Sequence, residues 1–260
     1  MRSRDVRFLE EAARSGPLHV YLWSDTVVKR LTGADLKFPR QERKYFLEAV
    51  RYVSKVWIVD DLASAEELPE VNGFRPDLWV VRENEDTSAK RQFSSSAGIR
   101  YSAIKESSLD GFPVIKLNEN EAYSNPKVLV TGCFDWFHSG HVRFFEETSG
   151  LGDLYVVVGH DKNVRLLKGE GHPLFSQEER RYMAASIRFV KQALVSTGRG
   201  WMDAEPEIEA IRPDMYVVNE DGDKPEKREF CEQHGLRYVV LRRTPAAGLP
   251  RRESTHLRGF

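Results

Sequence analysis

The feature that most constrains the fold is an internal repeat, in which the first half of the sequence matches the second half at an offset of 136 to 137 residues. VRFLEE, which begins at Val6, matches VRFFEE at Val142, and RPDLWVV, which begins at Arg75, matches RPDMYVV at Arg212. Further matches between these points keep the same offset. A register that stays nearly constant over this span indicates two copies of one domain.

We predict two tandem domains, residues 1–120 and 121–260, because 260 residues leave room for two modest domains. The stretch 116–125 is rich in Asn and Glu and also holds Ser, the composition of a linker.

Short apolar runs alternate with helix-like segments in the second copy. The predicted strands are 127–131, 154–158, 215–218 and 237–241, and the predicted helices are 142–149, 176–190 and 224–234. Such alternation predicts an α/β fold with a parallel sheet that is covered on both faces. In sheets of this kind, ligands lie beyond the carboxyl ends of the strands.

The charge balance gives no electrostatic reason to expect a nucleic-acid or membrane partner, since the formal net charge is -1. Cys133 and Cys231 are too few for a disulfide framework and fit a reducing compartment. No stretch approaches the roughly 20 apolar residues that span a bilayer. We therefore expect a cytoplasmic protein without nucleic-acid or membrane partners.

A candidate phosphate site follows the first strand of the second copy, where GCFDWFHSGH runs from Gly132 into a helix. Gly140 lets backbone approach a ligand closely, and a helix start offers unpaired N–H groups to an anion. His138 and His141 are near enough to point at one phosphate. An isolated pair of this kind could equally bind a metal or be ordinary polar residues; the position after a strand and the glycines favour phosphate.

These residues resemble the cytidylyltransferase branch of the nucleotidyltransferase superfamily, whose His-x-Gly-His signature matches HSGH at 138–141. GCFDWFH, from Gly132, is similar to the family's Gly-x-Phe-Asp-x-x-His. Lys168 and the glycine after it look like the family's phosphate-binding lysine loop.

The resemblance extends along the second copy. IRFV, from Ile187, is similar to the family's Ile-Arg-Tyr-Val segment. The family's Arg-Thr-Glu-Gly-Ile-Ser-Thr-Thr motif is similar to three short stretches near the C-terminus: RT from Arg243, GL from Gly248 and ST from Ser254. This sequence departs from the motif in two places, because PAA stands in place of the glutamate and PRRE separates GL from ST. The resemblance implies Rossmann-like domains.

The resemblance also implies a reaction, the transfer of CMP from CTP to a phosphorylated small molecule with release of pyrophosphate. Mg²⁺ is the expected metal, although its ligands are unknown. His138, His141 and Lys168 would be catalytic, and Asp135 and Trp201 would bind the acceptor. The implied nucleotide contacts are Gly132, Cys133, Phe134, Asp135, Gly140, Arg180, Arg188, Asn219, Arg243, Thr244, Ser254 and Thr255.

Alternatives remain at this point. Arg180 and Arg188 could form ion pairs on the surface, and Trp201 could be a partly buried packing residue. The acidic segment that begins at Asn219 could cap the next helix. An ATP-dependent adenylyltransferase of the same fold and a nucleotide sensor without turnover are the competing functions. The acceptor is not identified by any motif.

The first copy lacks the constellation, because Arg2, Asp5 and Thr32 stand at the positions that correspond to His138, His141 and Lys168. An aspartate there opposes anion binding. The counterpart of the first strand would precede Met1, so the strand is absent or another segment, for which 113–117 is a candidate, fills its place. We predict that the two copies pair as an intramolecular pseudo-dimer, with further homo-oligomers open.

Overall fold

Two short parallel sheets organise the first unit of the chain, residues 1–111. The computed structural model describes residues 1–71, 73–114, 125–253 and 257. The helices of this unit are α1 (Ser3–Ala13), α2 (Asp25–Thr32), α3 (Arg40–Ala49) and α4 (Ser88–Ala97), and its strands are β1 (Leu18–Trp23), β2 (Val53–Val59), β3 (Leu78–Arg82) and β4 (Arg100–Ile104). β1 pairs with β2 and β3 pairs with β4, both in parallel.

Helix ends in this unit follow local chemistry. The Ser24 hydroxyl accepts a hydrogen bond from the Val27 N–H and so caps α2, which ends at Gly33 in a left-handed conformation. The Thr87 side chain caps α4 in the same way by accepting from the Lys90 N–H.

A five-stranded parallel sheet forms the centre of the second unit, residues 112–260. Its strands are β5 (Lys127–Gly132), β6 (Asp153–Val158), β7 (Val190–Val195), β8 (Met215–Asn219) and β9 (Arg237–Leu241), and its helices are α5 (Ser139–Ser149), α6 (Asp161–Lys168), α7 (Gln177–Ala185), α8 (Glu205–Ile211) and α9 (Pro225–Gln233). The strand order is β7-β6-β5-β8-β9. The α/β class with parallel sheets is thereby confirmed.

The centre of this sheet is fully apolar. Val128, Leu129 and Val130 on β5 are buried, as are the apolar residues of β6 beside them. Continuous apolar strands are typical of a sheet with helices on both faces. The chain leaves β5 toward β6 and β7, and then returns to add β8 and β9 on the other side. The carboxyl ends of β5 and β8 therefore flank a topological switch point, where open α/β sheets bind ligands.

The predicted helix 176–190 was too long. α7 ends at Ala185, and Val190 begins β7, a strand that the sequence analysis missed. The physical reason is pairing: β7 joins β6 in parallel, which a longer helix would prevent. Helices α6 and α8 were also missed. The predicted linker lies almost wholly outside the described residues, as does most of the candidate segment 113–117.

The elements that the two units share follow the same order, whereas β5 and α8 have no counterpart among the described elements of the first unit. α1 and α5 begin 136 residues apart, and β3 and β8 begin 137 residues apart. One side-chain contact occurs in both units: an aspartate accepts from an arginine and from a tyrosine hydroxyl, and the arginine lies over the tyrosine ring. Its members are Asp86, Arg91 and Tyr101 in the first unit and Asp223, Arg228 and Tyr238 in the second.

Among the described residues, no helix combines the length and the apolar composition that crossing a bilayer requires.

Candidate active site

The predicted histidines lie at the switch point of the second sheet. β5 ends at Gly132, a six-residue loop follows, and α5 begins at Ser139 with His138 as its N-cap. The positive end of the helix dipole therefore points at the space beyond the strand ends, which favours an anion there.

Backbone hydrogen bonds fix the orientation of both imidazole rings. The Nδ1 atom of His138 accepts from the Gly140 N–H at 3.0 Å, and the Nδ1 atom of His141 accepts from the His138 N–H at 3.3 Å. Since Nδ1 is the acceptor in each neutral ring, Nε2 carries the proton. The two rings stack with their centroids 3.9 Å apart. The two imidazoles thus lie face to face, each with its proton on Nε2.

Both rings are neutral near pH 7. Burial lowers the pKa of His138 to about 4, and the positive charges of Arg243 and Arg252 act in the same direction. Burial also lowers the pKa of His141 well below its ordinary value of 6.5, with His138, Arg243 and Lys168 contributing. The histidines are therefore suited to donate hydrogen bonds to phosphate oxygens, and the positive charge must come from other residues.

Aromatic rings and two glycines hold His141 in place. The Phe134 ring meets His141 edge-on at 5.4 Å, and the Phe137 ring stacks on it at 5.3 Å. A Cβ atom on Gly132 would lie 2.8 Å from the Phe134 ring, and one on Gly140 would lie 2.9 Å from the His138 ring. The buried Phe134 ring positions His141 and also lines the cavity that contains His141, and a side chain on either glycine would clash with one of these rings.

Lys168, the last residue of α6, lines the same cavity as His141. This cavity of about 170 Å³ also contains Asp135 and His172, the second of which the sequence analysis missed because no motif marks it. Cys133 lies at its wall. Burial raises the pKa of the Cys133 thiol although Lys168 and Arg180 oppose the rise, so the thiol is protonated and is no nucleophile at neutral pH.

A second, smaller pocket begins at Gly140 and continues along the segment that follows β9. Asn219, Arg243 and Thr244 line it, so the structure brings these three predicted residues together. Arg243 pairs with Asp221 and donates from Nη2 to the Arg252 carbonyl at 2.9 Å. The ion pair and this hydrogen bond hold the C-terminal segment against the start of α5. The sequence analysis missed Arg252.

Arg180 does not face the pocket, and the predicted nucleotide contact is corrected. Its side chain is 1% exposed. The guanidinium donates to three backbone carbonyls, those of Cys133, Gly159 and Phe175, and pairs with Asp161 at 2.7 Å. Every guanidinium nitrogen is engaged, so Arg180 ties together the ends of β5 and β6 instead of binding phosphate.

Asp135 likewise has a structural role that the prediction of ligand contact did not foresee. Its carboxylate accepts from the N–H groups of Leu174 and Phe175 at 2.8 and 3.1 Å, and it lies 3.6 Å from Nδ1 of His172. These contacts hold the loop between α6 and α7 over the cavity.

Two predicted residues lie apart from the histidines. Arg188 is exposed and precedes β7, so it lies at the amino ends of the strands, the opposite end of the sheet from His138 and His141. The predicted contact with nucleotide in its own unit is therefore corrected. Trp201 is 52% exposed on the turn Gly200–Met202, which is joined to α6 through Asn163. Its contact with an acceptor stays a prediction.

Ser254 and Thr255, the predicted hydroxyl donors, lie outside the described residues. Within the described ranges, no three His, Cys, Asp or Glu side chains come together as metal ligands.

The low pKa of His138 leads to a prediction about stability. In the unfolded chain this ring titrates near 6.5, so between about pH 6.5 and pH 4 the unfolded state binds the proton and the folded state does not. The contribution of His138 to the free energy of unfolding is therefore complete above pH 6.5. It decreases as the pH falls toward 4, by about 3 kcal/mol for a pKa shift of this size. Urea unfolding from pH 7.5 to 4 measures the slope. His138→Asn, which keeps a capping oxygen, is expected to flatten it, and an unchanged slope would contradict the assignment.

Several curated proteins resemble part of the chain. The FAD synthase of Aciduliprofundum boonei is 36% identical over 119 residues, which are 45% of this chain and 76% of that protein. The FAD synthase of Ferroglobus placidus is 36% identical over 119 residues and is covered to 74%. The bifunctional protein HldE of Koribacter versatilis is 37% identical over 95 residues, which are 36% of this chain and 19% of that protein.

The Cytidylyltransferase-like family model matches residues 129–245, a range that contains both histidines, Lys168 and Asn219. The matched range thus holds the loop, the helix start and the switch point that define the site. The chain belongs to the cytidylyltransferase-like family of nucleotidyltransferases.

Proposed function

We propose that the second unit transfers a nucleoside monophosphate from a nucleoside triphosphate to a phosphorylated small molecule. The observation that carries the proposal is the pair of neutral imidazoles at a helix start, His138 and His141, with Lys168 lining the same cavity as His141. A nucleotide sensor without turnover would not require this set of donors.

The reaction joins two anions, so positioning and charge stabilisation must supply most of the catalysis. A phosphate oxygen of the acceptor attacks the α-phosphorus, the bond from the α-phosphorus to the bridging oxygen breaks, and pyrophosphate leaves with that electron pair. His138 and His141 donate to the oxygens where negative charge develops. Lys168 contributes a full positive charge, which the neutral histidines cannot.

Magnesium would enter with the triphosphate, since Mg²⁺ is commonly held by substrate phosphates and water with few protein ligands. When bound, it would neutralise phosphate charge.

The nucleotide donor has two candidates. CTP follows from the sequence resemblance to cytidylyltransferases. ATP is supported by the names of two relatives, since the product of an FAD synthase contains an adenine nucleotide. We propose ATP as the first donor to test and CTP as the second. Asn219 and Arg243 line the small pocket that begins at Gly140, and we propose that these two side chains contact the nucleotide.

The test is pyrophosphate release from each of the four nucleoside triphosphates with a panel of phosphorylated acceptors, among them flavin mononucleotide, glycerol phosphate and sugar phosphates. Release that depends on one donor and one acceptor class would support transfer. Nucleotide binding without release under every combination would favour the sensor.

Lys168→Ala is expected to weaken triphosphate binding and slow the reaction, with a total loss in kcat/KM of about 100-fold, the size typical of one lost charged donor. Lys162→Ala is the matched control, because Lys162 is on the same helix and no cavity at the site includes it. Nucleotide titration and steady-state kinetics of both variants measure the difference. Equal losses would mean that the lysine loop has been assigned incorrectly.

We propose that the first unit is a degenerate copy without turnover. Asp5 stands where the second unit has His141, and it pairs with Arg82 at 2.7 Å. A carboxylate at this position repels phosphate. The common order of elements and the shared contact of Asp86 and Asp223 support descent from one domain.

A further inference from the structure

Helix α6 and the loop after it carry large apolar side chains that are exposed. Leu166 is 71% exposed, Leu167 is 56% exposed, and Leu174, in the loop before α7, is 50% exposed. A single exposed leucine is ordinary on a protein surface and requires no explanation. Several large apolar side chains exposed together are typical of a binding site. We call Leu166, Leu167, Leu174 and the half-exposed Trp201 the apolar surface.

Two hydrogen bonds bring Trp201 to the same side of α6 as two of the leucines. The side chain of Asn163, which is buried, donates from Nδ2 to the Gly200 carbonyl at 3.0 Å and accepts from the Gly200 N–H at 2.8 Å. Leu166 and Leu167 follow Asn163 by three and four residues, so they share its face of the helix. Helical side chains lean toward the amino end of their helix, which directs both leucines toward the turn that holds Trp201.

The apolar surface continues into the cavity of the candidate active site. Lys168, the residue after Leu167, lines this cavity, and so does His172, two residues before Leu174. Asp135, which also lines it, accepts from the Leu174 N–H at 2.8 Å. A molecule whose phosphate lies beside Lys168 would therefore have the leucines within reach of the group that its phosphate carries.

The strand order assigns this side of the site to the acceptor. α6 follows β6, whereas Asn219 and Arg243, the proposed nucleotide contacts, lie at the end of β8 and after β9. β5, and with it the loop that leads to the two histidines, lies between β6 and β8. A nucleotide bound on the β8 side leaves the β6 side for the molecule that receives the nucleotidyl group.

We propose that the acceptor is a phosphate monoester of an apolar group, whose phosphate binds beside Lys168 and whose apolar group lies over the apolar surface. This inference rests on the proposed transfer reaction and specifies its acceptor. A glycerol or sugar phosphate would leave the leucines in water and gain little from them. An alkyl or aromatic group would remove apolar area from water, and covering one leucine side chain contributes about a tenfold gain in affinity.

A lipid surface or a second copy of this chain would also cover exposed leucines. Neither of these partners accounts for the continuity of the apolar surface with the cavity that holds Lys168, or for the bonds by which Asn163 fixes the turn of Trp201 to α6. An acceptor that reaches from the cavity across α6 accounts for both.

The test compares phosphate monoesters that differ in the esterified group. Glycerol phosphate and a sugar phosphate are the polar esters, and phenyl phosphate and n-hexyl phosphate are the apolar ones. Each is tested for pyrophosphate release with each nucleoside triphosphate, and calorimetry measures its affinity separately from turnover. We expect the affinity and kcat/KM of the apolar esters to exceed those of glycerol phosphate by at least about tenfold.

A double variant tests the leucines directly. Leu166→Ser combined with Leu167→Ser should reduce the preference for n-hexyl phosphate over glycerol phosphate by at least about fivefold. Both side chains are more than half exposed, so the variant should fold, and thermal unfolding checks this. Leu36→Ser is the matched control, because Leu36 is an exposed leucine of the first unit, and it should leave the preference unchanged.

The outcomes separate the acceptor class from the reaction. Pyrophosphate release with equal affinity and equal kcat/KM for polar and apolar esters would overturn the inference and leave the transfer reaction standing. The absence of release with every donor and ester would overturn the transfer reaction, on which the inference rests. Without an ester preference, two results would identify another partner if the double variant abolished them. Sedimentation with vesicles of phosphatidylcholine and phosphatidylserine would indicate a membrane, and a dimeric mass in solution would indicate a second copy.

Discussion

His141→Ala is expected to lower turnover by a factor of about 100 to 1,000, the usual cost of removing one preorganised donor to a developing charge. The ring is held by Phe134, Phe137 and the N–H of His138, so its Nε2 atom is fixed before substrate binds. The expected effect lies mainly in kcat, because the donor acts on charge that appears in the transition state.

The same residue also accepts a capping hydrogen bond, so two further substitutions separate capping from catalysis. His141→Asn can retain an acceptor near the position of Nδ1 and should restore stability without restoring turnover. His141→Gln can place an amide donor near the position of Nε2 and should recover part of the turnover. Turnover should therefore be highest in the unaltered chain, lower in His141→Gln, and lowest in His141→Asn and His141→Ala.

His234→Ala is the matched control. Its ring stacks on Phe230 at 4.0 Å and bonds to the Phe230 carbonyl at the end of α9, and it lines none of the cavities at the site. Turnover should be unchanged. A folded His141→Ala with nearly full activity, or a His234→Ala with an equal loss, would contradict the proposed role.

The position of the site could be predicted from the sequence because it depends on local chemistry. A glycine, an apolar strand and a helix start with two histidines occupy adjacent stretches of chain, so their order alone brings His138 and His141 to the strand ends. Asn219 was also predicted to reach this region because it follows a predicted strand of the same parallel sheet, and Arg243 was predicted from its resemblance to a family motif. The parallel arrangement places all such positions at one end.

The direction of the arginine side chains could not be predicted in this way. Arg180 and Arg188 both lie in basic, family-like segments, but one turns inward to three carbonyls and the other lies at the far end of the sheet. Arg180 can be buried only because the carbonyls of Cys133, Gly159 and Phe175 accept its hydrogen bonds, and these residues are distant from one another in sequence. The protonation of the histidines also depends on such long-range packing.

The pairing of the two units as a pseudo-dimer stays a prediction.

Arg180→Met is expected to lower the free energy of unfolding of the second unit by about 3–5 kcal/mol, the range for removing one partner from a buried charged network. Methionine fills similar space but donates no hydrogen bond, so the carbonyls of Cys133, Gly159 and Phe175 lose their donor in a buried setting. Buried acceptors left without a donor cost about 1–3 kcal/mol each when no water replaces it.

Arg43→Met, the corresponding substitution in the first unit, is expected to cost less than half as much. Arg43 is 19% exposed and its partner Asp25 is 46% exposed, so water can replace part of what is lost. Among the described residues, it also lacks a counterpart of the Arg180 contact to the Cys133 carbonyl. Native-state hydrogen exchange separates the two effects, because amides of β5 and β6 report on one unit and amides of β1 and β2 on the other. Equal losses in the two units would mean that the contact of Arg180 with the Cys133 carbonyl contributes nothing.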